Sequence, residues 1–148
     1  MAGRIAVAVD GSDASLGALE YALRLAREQG RDLTGVFVID SGWADFIGND
    51  WQSSRNARQG FLDYIHGQQL DQCELARAQF RQCAADLPGA QFTVCVGDPI
   101  EALGELMDRG EAELMVAGRE VFQVCGRPSL KRLHKDLPRR IGPQVIVV

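Results

Sequence analysis

The sequence predicts an α/β fold: an open, five-stranded parallel sheet with helices on both faces, doubly wound and Rossmann-like. Five short apolar runs alternate along the 148 residues with segments whose apolar residues recur at steps of three and four. Runs that are apolar at successive positions are typical of parallel strands covered on both faces, and the stepped pattern is typical of amphipathic helices. Four strand–helix–strand units in a chain of one-domain length indicate a single domain spanning residues 1–148.

A polar turn separates the first strand from the first helix. The strand is the apolar run Arg4–Val9, and the sequence Asp10-Gly-Ser-Asp that follows ends it. Ser12 and Asp13 are both good helix N-caps, because their side-chain oxygens accept free N–H groups of the first turn. Gly30 is placed to end the helix. The predicted inner stripe of this helix consists of Leu16, Leu19, Leu23 and Ala26.

The remaining apolar runs predict four further strands. Ligands of doubly wound sheets bind outside the carboxyl ends of the strands, so we expect a site near residues 10–12, 38–40, 97–98 and 118–119. The four strands are predicted over Leu33–Ile39, which ends in Asp40, and over Phe92–Val96, Glu113–Ala117 and Gln144–Val148.

Three further helices are expected between these strands. Pro99 suits the first position of one of them, because its fixed φ is already helical. Pro138 is expected to shorten or kink the last helix, whose stripe is Leu130, Leu133, Leu137 and Ile141. A polar helix is predicted over about 68–86, with an inner side made of Leu75, Ala76, Gln79, Phe80 and Cys83.

The segment at about 41–70 does not follow this alternation and is predicted to be irregular. It holds five of the ten aromatic residues, among Gly, Asn, Gln and Arg. Thirty residues without an element are long for a compact domain, so the segment is either functional or partly helical. Its aromatics, interleaved with Arg55 and Arg58, fit a partner surface or a lid, and equally a loop packed on the domain by its own side chains.

Composition excludes several classes of protein. Apolar residues make up 46% and charged residues 24% of the chain, which is typical of globular domains and not of disordered or fibrous chains. The longest apolar runs are too short to cross a bilayer, and no leader pattern follows Met1. We therefore expect a cytoplasmic protein without a membrane partner. The four cysteines form no CxxC pair, which favours reduced thiols and no metal site, with a reactive Cys125 as the minor alternative.

The charge is distributed unevenly along the chain. The net charge is −4, but residues 119–140 contain seven basic and two acidic residues, a local +5 on a body of −9. A nucleic-acid-binding domain would normally be basic throughout, so we expect no nucleic-acid partner. The basic segment indicates either a local anion site or a solvated basic helix face.

No catalytic residue is predicted. His66 lies in the irregular segment, and His134 is expected to be an exposed residue of a basic helix. Neither histidine has a companion at the spacing that acid–base catalysis or metal binding requires.

Several of these stretches together resemble the universal stress protein family. The carriers are Ile5-Ala-Val-Ala-Val-Asp-Gly-Ser, Val36-Phe-Val-Ile-Asp and Val96-Gly-Asp-Pro, followed by Glu113-Leu-Met-Val-Ala-Gly and Gly142-Pro-Gln-Val-Ile-Val-Val. The resemblance covers nearly the whole chain except residues 41–70, where this family is variable. It implies the doubly wound fold predicted above.

The resemblance also carries a prediction about ATP. Members that bind ATP use a loop of the form Gly-x2-Gly-x9-Gly-Ser/Thr after the fourth strand, in which backbone N–H groups surround the phosphates. Here the first glycine is Gly118, but the second position is Val121 and the Gly-Ser pair is replaced by Lys131 and Arg132. The chain therefore resembles the non-binding, A-type branch, and we expect no cofactor.

Some positions of an ATP site nevertheless match. Val9, Asp10 and Val38 correspond to the adenosine end of the family's pocket, although Asp10 also suits a purely structural role in ordering the turn before the first helix. A displaced turn at 126–129 is the alternative route to a phosphate site. If an anion or a nucleotide binds, the residues expected to hold its charge are Arg119, Lys131 and Arg132.

Three functions remain to be compared. The first is a non-enzymatic stress-response protein that acts as a homodimeric interaction module with an unidentified protein partner. Its dimer contact would be the last strand at Val145, Ile146 and Val147, an apolar edge at the chain end. The second is an adenine-nucleotide sensor that uses Asp10, Val38 and the basic loop. The third, an ATP-pyrophosphatase-like enzyme, is disfavoured because Asp10 would place a carboxylate where a phosphate must sit.

Overall fold

Five parallel strands form one sheet in the order β3-β2-β1-β4-β5. The structure is a computed structural model, and it describes residues 3–49, 55–123, 127, 130 and 132–148. The predicted fold class is confirmed, and each predicted strand is present with ends shifted by no more than two residues. The strands are β1 (Ile5–Ala8), β2 (Leu33–Asp40), β3 (Gln91–Gly97), β4 (Leu114–Ala117) and β5 (Val145–Val147).

The helices cover both faces of this sheet. On one face α1 contacts α3, and on the other α4 contacts α5. The central strand β1 is completely buried, as a strand covered on both faces must be. The described helices are α1 (Asp13–Gln29), α2 (Trp43–Ile47), α3 (Arg55–Cys83), α4 (Pro99–Asp108) and α5 (Leu133–Ile141).

The predicted ends of α1 are confirmed, and the structure selects Ser12 as its N-cap. The Ser12 side chain accepts a hydrogen bond from the backbone N–H of Ser15, which satisfies one of the free donors of the first turn. Gly30 ends the helix in the left-handed conformation at φ 62°. That conformation is strained for residues with a Cβ, so glycine suits the position.

The described part of segment 41–70 is mostly helical, so the expectation of an irregular segment was wrong and the alternative of a partly helical one agrees with the structure. Helix α3 begins at Arg55, well before the predicted start near residue 68. None of the α3 residues described before Gln69 is buried. A helix of 29 residues is roughly 43 Å long, whereas the eight residues of β2 extend roughly 26 Å. The first half of α3 extends beyond the sheet, and its half-buried stripe of Arg58, Phe61, Leu62 and Ile65 lies toward α2 instead.

The second half of α3 packs on the sheet with a stripe different from the predicted one. Leu75 was expected on the inner side but is 57% exposed. Gln79 and Cys83 are half-buried. The buried positions follow steps of three and four that leave Leu75 out. They are Cys73, Ala76, Phe80 and Ala84.

Three of the four cysteines lie within the described residues. Cys73, Cys83 and Cys95 are free, and burial raises the pKa of both Cys73 and Cys95, which keeps these thiols protonated. Cys125 lies outside the described residues. Within the described ranges, there is no group of side chains that could hold a metal ion. None of the described helices is long and apolar enough to span a bilayer.

We predict that Gly35→Ala destabilises the fold because of a close helix–sheet contact. A Cβ at Gly35 in β2 would lie 2.6 Å from the Phe80 ring of α3, which is buried and has little room to move. Such overpacking costs about 1–3 kcal/mol. Urea unfolding measures it, with Gly17→Ala as the control, because an added Cβ at this exposed α1 position meets nothing within 4 Å. An equal or greater stability of Gly35→Ala would contradict the described packing.

Candidate functional site

Asp10 lies at the carboxyl end of β1, and its carboxylate is almost completely buried, at 1% exposure. Oδ1 accepts hydrogen bonds from the backbone N–H of Ser12 at 2.9 Å and from the Ser12 hydroxyl at 2.5 Å. Oδ2 accepts one from the backbone N–H of Phe122, far along the chain, at 2.8 Å. A buried carboxylate is tolerated only when its oxygens are paired in this way. Asp10 therefore orders the turn before α1 and joins it to the loop after β4.

Helix α3 holds the same turn from the side. The Gln72 amide donates to the backbone oxygen of Asp10 at 2.5 Å. The Gln79 amide lies 3.5 Å from the backbone oxygen of Ser12. Gly11 between them has φ 80°, and a Cβ there would lie 2.8 Å from the Cβ of Leu75. Only glycine fits both this conformation and this contact.

The loop after β4 begins close to α1 and turns back over Asp10. Gly118 lies against the first turn of α1, since a Cβ there would come 3.2 Å from the backbone oxygen of Ala14. Phe122 is buried and has φ 67°, an uncommon conformation for a bulky residue. Its ring packs edge-on against Phe37 of β2 with the centroids 5.8 Å apart. The hydrogen bond to Asp10 and this ring contact together hold the strained residue in place.

Arg127 connects the same loop to the ends of β2 and β3. Its Nε donates to Oδ2 of Asp40 and its Nη2 to Oδ1 of Asp98, both at 2.6 Å. The side chain of Asp40 is only 4% exposed and that of Arg127 15%, so the pair is largely removed from water. Burial by itself lowers the pKa of Arg127, but the hydrogen bonds with Asp40 and Asp98 outweigh it and raise the pKa above its ordinary value.

The Gln69 side chain of α3 hydrogen-bonds to the backbone at the end of β2. The strand β2 is longer than β1, so the side of Asp40 that faces β1 has no strand partner. The Gln69 side chain replaces that partner: its Oε1 accepts from the Asp40 backbone N–H at 2.5 Å, and its Nε2 donates to the Asp40 backbone oxygen at 3.2 Å. A buried side-chain amide thus satisfies backbone groups that would otherwise be unpaired.

A cavity of about 280 Å³ lies beside this corner, between the end of β2, α2 and α3. Asp40, Gln69, Trp43 and the exposed His66 line it. The Trp43 ring contacts the rings of Phe46 and Phe61 edge-on, and Arg58 donates to the backbone oxygens of Ala44 and Gly48. The described part of segment 41–70 is therefore packed by its own aromatics, one of the two alternatives that the sequence left open. Trp51 lies outside the described residues.

The predicted binding residues separate into a buried group and an exposed group. The buried group is brought together around the Asp10 turn and the loop after β4. Arg119 and Arg132 are exposed. Lys131 lies outside the described residues, as does most of the alternative turn at 126–129. The assignment of either group to a ligand stays a prediction. The buried group consists of Val9, Asp10, Val38 and Gly118.

Sequence reasoning missed the residues that fill this region. Phe122 and Gln69 carried no signal that separates them from ordinary loop and helix residues. Arg127 was counted in the basic segment but not placed, because its acidic partners are 87 and 29 residues away. His134 was expected to be exposed but is half-buried, and its Nδ1 has no hydrogen-bond partner within the part of the chain that the structure describes.

An open parallel sheet in which the loops after the first and fourth strands meet over its carboxyl edge is the architecture of doubly wound α/β domains. The model of the universal stress protein family matches residues 1–134. The chain therefore belongs to the universal stress protein family.

Solved structures agree with this assignment. A universal stress protein in complex with cAMP has a TM-score of 0.62 and 24% identity, over 100% of this chain and 98% of that one. The universal stress protein UspA from Lactobacillus plantarum has a TM-score of 0.69 and 21% identity, over 98% and 96%. One from Archaeoglobus fulgidus in complex with dAMP has 0.52 and 19%, over 97% and 95%. At these identities the likeness shows the fold alone. Comparison with curated proteins gives no match.

We predict that Arg127→Met destabilises the fold by about 3 kcal/mol, because it leaves the Asp40 carboxylate buried without its cation. The control is Arg140→Met: Arg140 also binds two carboxylates, those of Glu101 and Asp108, but these are 58% and 63% exposed, so its loss costs at most about 1 kcal/mol. Urea unfolding of both variants measures the difference. Equal losses would show that burial of the Asp40 pair has no energetic consequence.

Proposed function

We propose that this universal stress protein is a non-enzymatic stress-response module that works as a homodimer and does not bind ATP. The proposal rests on the hydrogen bonds that the Asp10 carboxylate already makes within the chain. Both of its carboxylate oxygens are bonded within the chain, and the donor to Oδ2 is the loop that holds phosphates in ATP-binding members. A nucleotide at this end of the sheet would have to displace the Phe122 backbone from Asp10 and the Phe122 ring from Phe37.

The described part of the site also supports a non-catalytic role. The two buried carboxylates of the site, those of Asp10 and Asp40, each accept hydrogen bonds on both oxygens. A general base needs a free lone pair within reach of a substrate proton. Both carboxylates are also almost completely buried, at 1% and 5% exposure, so their remaining lone pairs are out of a substrate's reach.

The proposed dimer contact is the outer edge of β5. Its three residues pair with β4 on one side only and are half-buried, so their outer side has room for a second copy. Gln144 and Val148 bond to β4 residues through their backbone, which places Ile146 on the same inner side by alternation. The N–H groups of Val145 and Val147 therefore face outward, where a second β5 would pair with them. Location in the cytoplasm stays a prediction.

A second candidate function is an adenine-nucleotide sensor. Two structural neighbours are complexes with cAMP and dAMP, and Arg119 and Arg132 of this chain are exposed on the side of the loop after β4. Such a ligand would use these guanidinium groups in place of the missing glycines.

The first experiment decides between these candidates. Freshly purified protein is denatured, and the released material is chromatographed for adenine nucleotides. Calorimetric titration with ATP, ADP, AMP and cAMP, with and without Mg²⁺, then detects ligands too weak to survive purification. We expect no stoichiometric nucleotide and no heat. If a nucleotide binds, the double variant Lys131→Ala, Arg132→Ala should abolish the binding and leave folding intact, and an unchanged affinity would move the site elsewhere.

The dimer is tested with proline at the outer face of β5. Val147→Pro removes an outward N–H, which an edge strand tolerates, so we expect a folded monomer in sedimentation. Val147→Thr keeps the N–H and the β-branched shape and should remain a dimer. Proline at Ile146 would instead remove an N–H on the β4 side and break the pairing within the protomer. A monomeric unmodified protein would end the dimer proposal.

A further inference from the structure

We propose that the outer edge of β3 is a docking site for an extended segment of another protein that carries apolar residues at alternate positions. Strand β3 is the end strand of the sheet, opposite to β5. The choice of another protein as occupant rests on the proposed β5 homodimer. The docking surface itself rests on the backbone, the side chains and the charge of β3.

The backbone of β3 presents a free row of hydrogen-bonding groups. The backbone oxygen of Gly97 accepts from Ser41 on the β2 side at 3.2 Å. Alternate residues of a parallel strand face the same neighbour, so Phe92, Val94 and Val96 direct their N–H and C=O groups away from β2. Among the residues that the structure describes, none bonds to these groups. Their spacing fits the backbone of an added strand.

The β3 edge also lacks the features that normally prevent pairing. Exposed edges are usually protected by charged side chains, by proline, by a bulge or by shortness. The seven residues of β3 contain no charge and no proline, and their pairing with β2 is continuous over all seven positions. The long, neutral edge of β3 is therefore suited to receive a strand of a partner.

Exposed apolar side chains lie along the same edge. Val94 is 36% exposed and Val96 68% exposed, and both project to the α3 face, since Phe92, two residues earlier, packs against Phe80 of α3. Leu70 of α3 is 45% exposed. It lies two helical turns before Arg77, whose guanidinium covers the Phe92 ring at 4.9 Å, so both residues are on the β3 side of the helix. An added strand would place alternate apolar side chains beside Val94 and Val96.

Symmetry identifies the occupant as a different protein. When β5 pairs with a second copy about a two-fold axis, the β3 edges form the two outer ends of a ten-stranded sheet. If β3 also paired with itself, each dimer would join two others and the sheet would grow without closure. In a finite homodimer, a strand that occupies the β3 edge therefore comes from a different protein.

The test uses three synthetic peptides and the full-length protein labelled with ¹⁵N. The first is Lys-Val-Thr-Val-Thr-Val-Lys, in which valine alternates. The second has the same composition with the three valines adjacent, and the third is the alternating peptide methylated on alternate backbone nitrogens. We expect only the first to bind and to protect the amides of Phe92, Val94 and Val96 from hydrogen exchange. Binding of all three, or none, or protection elsewhere, would overturn the proposal.

Two variants locate the site on the surface. Val96→Asp should weaken binding of the alternating peptide about five- to tenfold, because it places a charge beside the added strand. Tyr64→Asp, on a 61% exposed residue of α3, is the matched control and should bind as the unmodified protein does. Sedimentation of Val96→Asp keeps the two proposals separate. An unchanged dimer leaves β3 to a different protein, whereas loss of the dimer would show that β3 binds a second copy and would overturn both the occupant proposed here and the β5 contact.

Discussion

The buried carboxylate of Asp10 is the constraint on which the upper end of the domain depends. A carboxylate that is only 1% exposed needs hydrogen bonds to both of its oxygens. Here the donors are Ser12 and Phe122, which are far apart in the sequence. The first donor fixes the turn that starts α1. The second draws the loop after β4 across the sheet, where the Phe122 ring reaches Phe37. Loss of either donor would leave part of a buried charge unpaired, so the turn, the loop and the helix start form one cooperative unit.

Much of the fold is encoded locally and was predictable. Runs of successive apolar residues predicted all five strands, and the polar turn with Ser12 and the glycine at Gly30 predicted both ends of α1. These features depend on residues that are close together in the sequence, so the spacing of apolar and polar residues reveals them. The first half of α3 was missed because it extends beyond the sheet. Its apolar positions Phe61, Leu62 and Ile65 are only half-buried and stand among polar residues and glycines, so their helical spacing is a weak signal. Ala76 and Phe80 of the predicted inner side are buried, but Leu75 was misplaced because the predicted stripe was one residue too wide on that side.

The site was predictable only in part. The positions of Val9, Asp10, Val38 and Gly118 came from resemblance to the family, and the fold brings these buried residues to one edge of the sheet. Family patterns describe where a ligand sits in relatives, however, and they do not describe what replaces it. Arg127 binds Asp40 and Asp98 across 87 and 29 residues, and no local pattern reveals an ion pair between loops so far apart. Phe122 and Gln69 are likewise defined by the groups that they meet and not by their own sequence context.

The unburied first half of α3 has a consequence for how local stability varies along the chain. Helix nucleation is costly and propagation is cheap, so the half that packs on β2 nucleates the helix, and the outer half forms by growth away from it. Its tip is joined to the rest of the protein through Arg58, whose guanidinium bonds to carbonyl groups at the end of α2. The short helix α2 and the outer turns of α3 are thus an opening unit of their own, able to unfold and refold while the sheet stays intact.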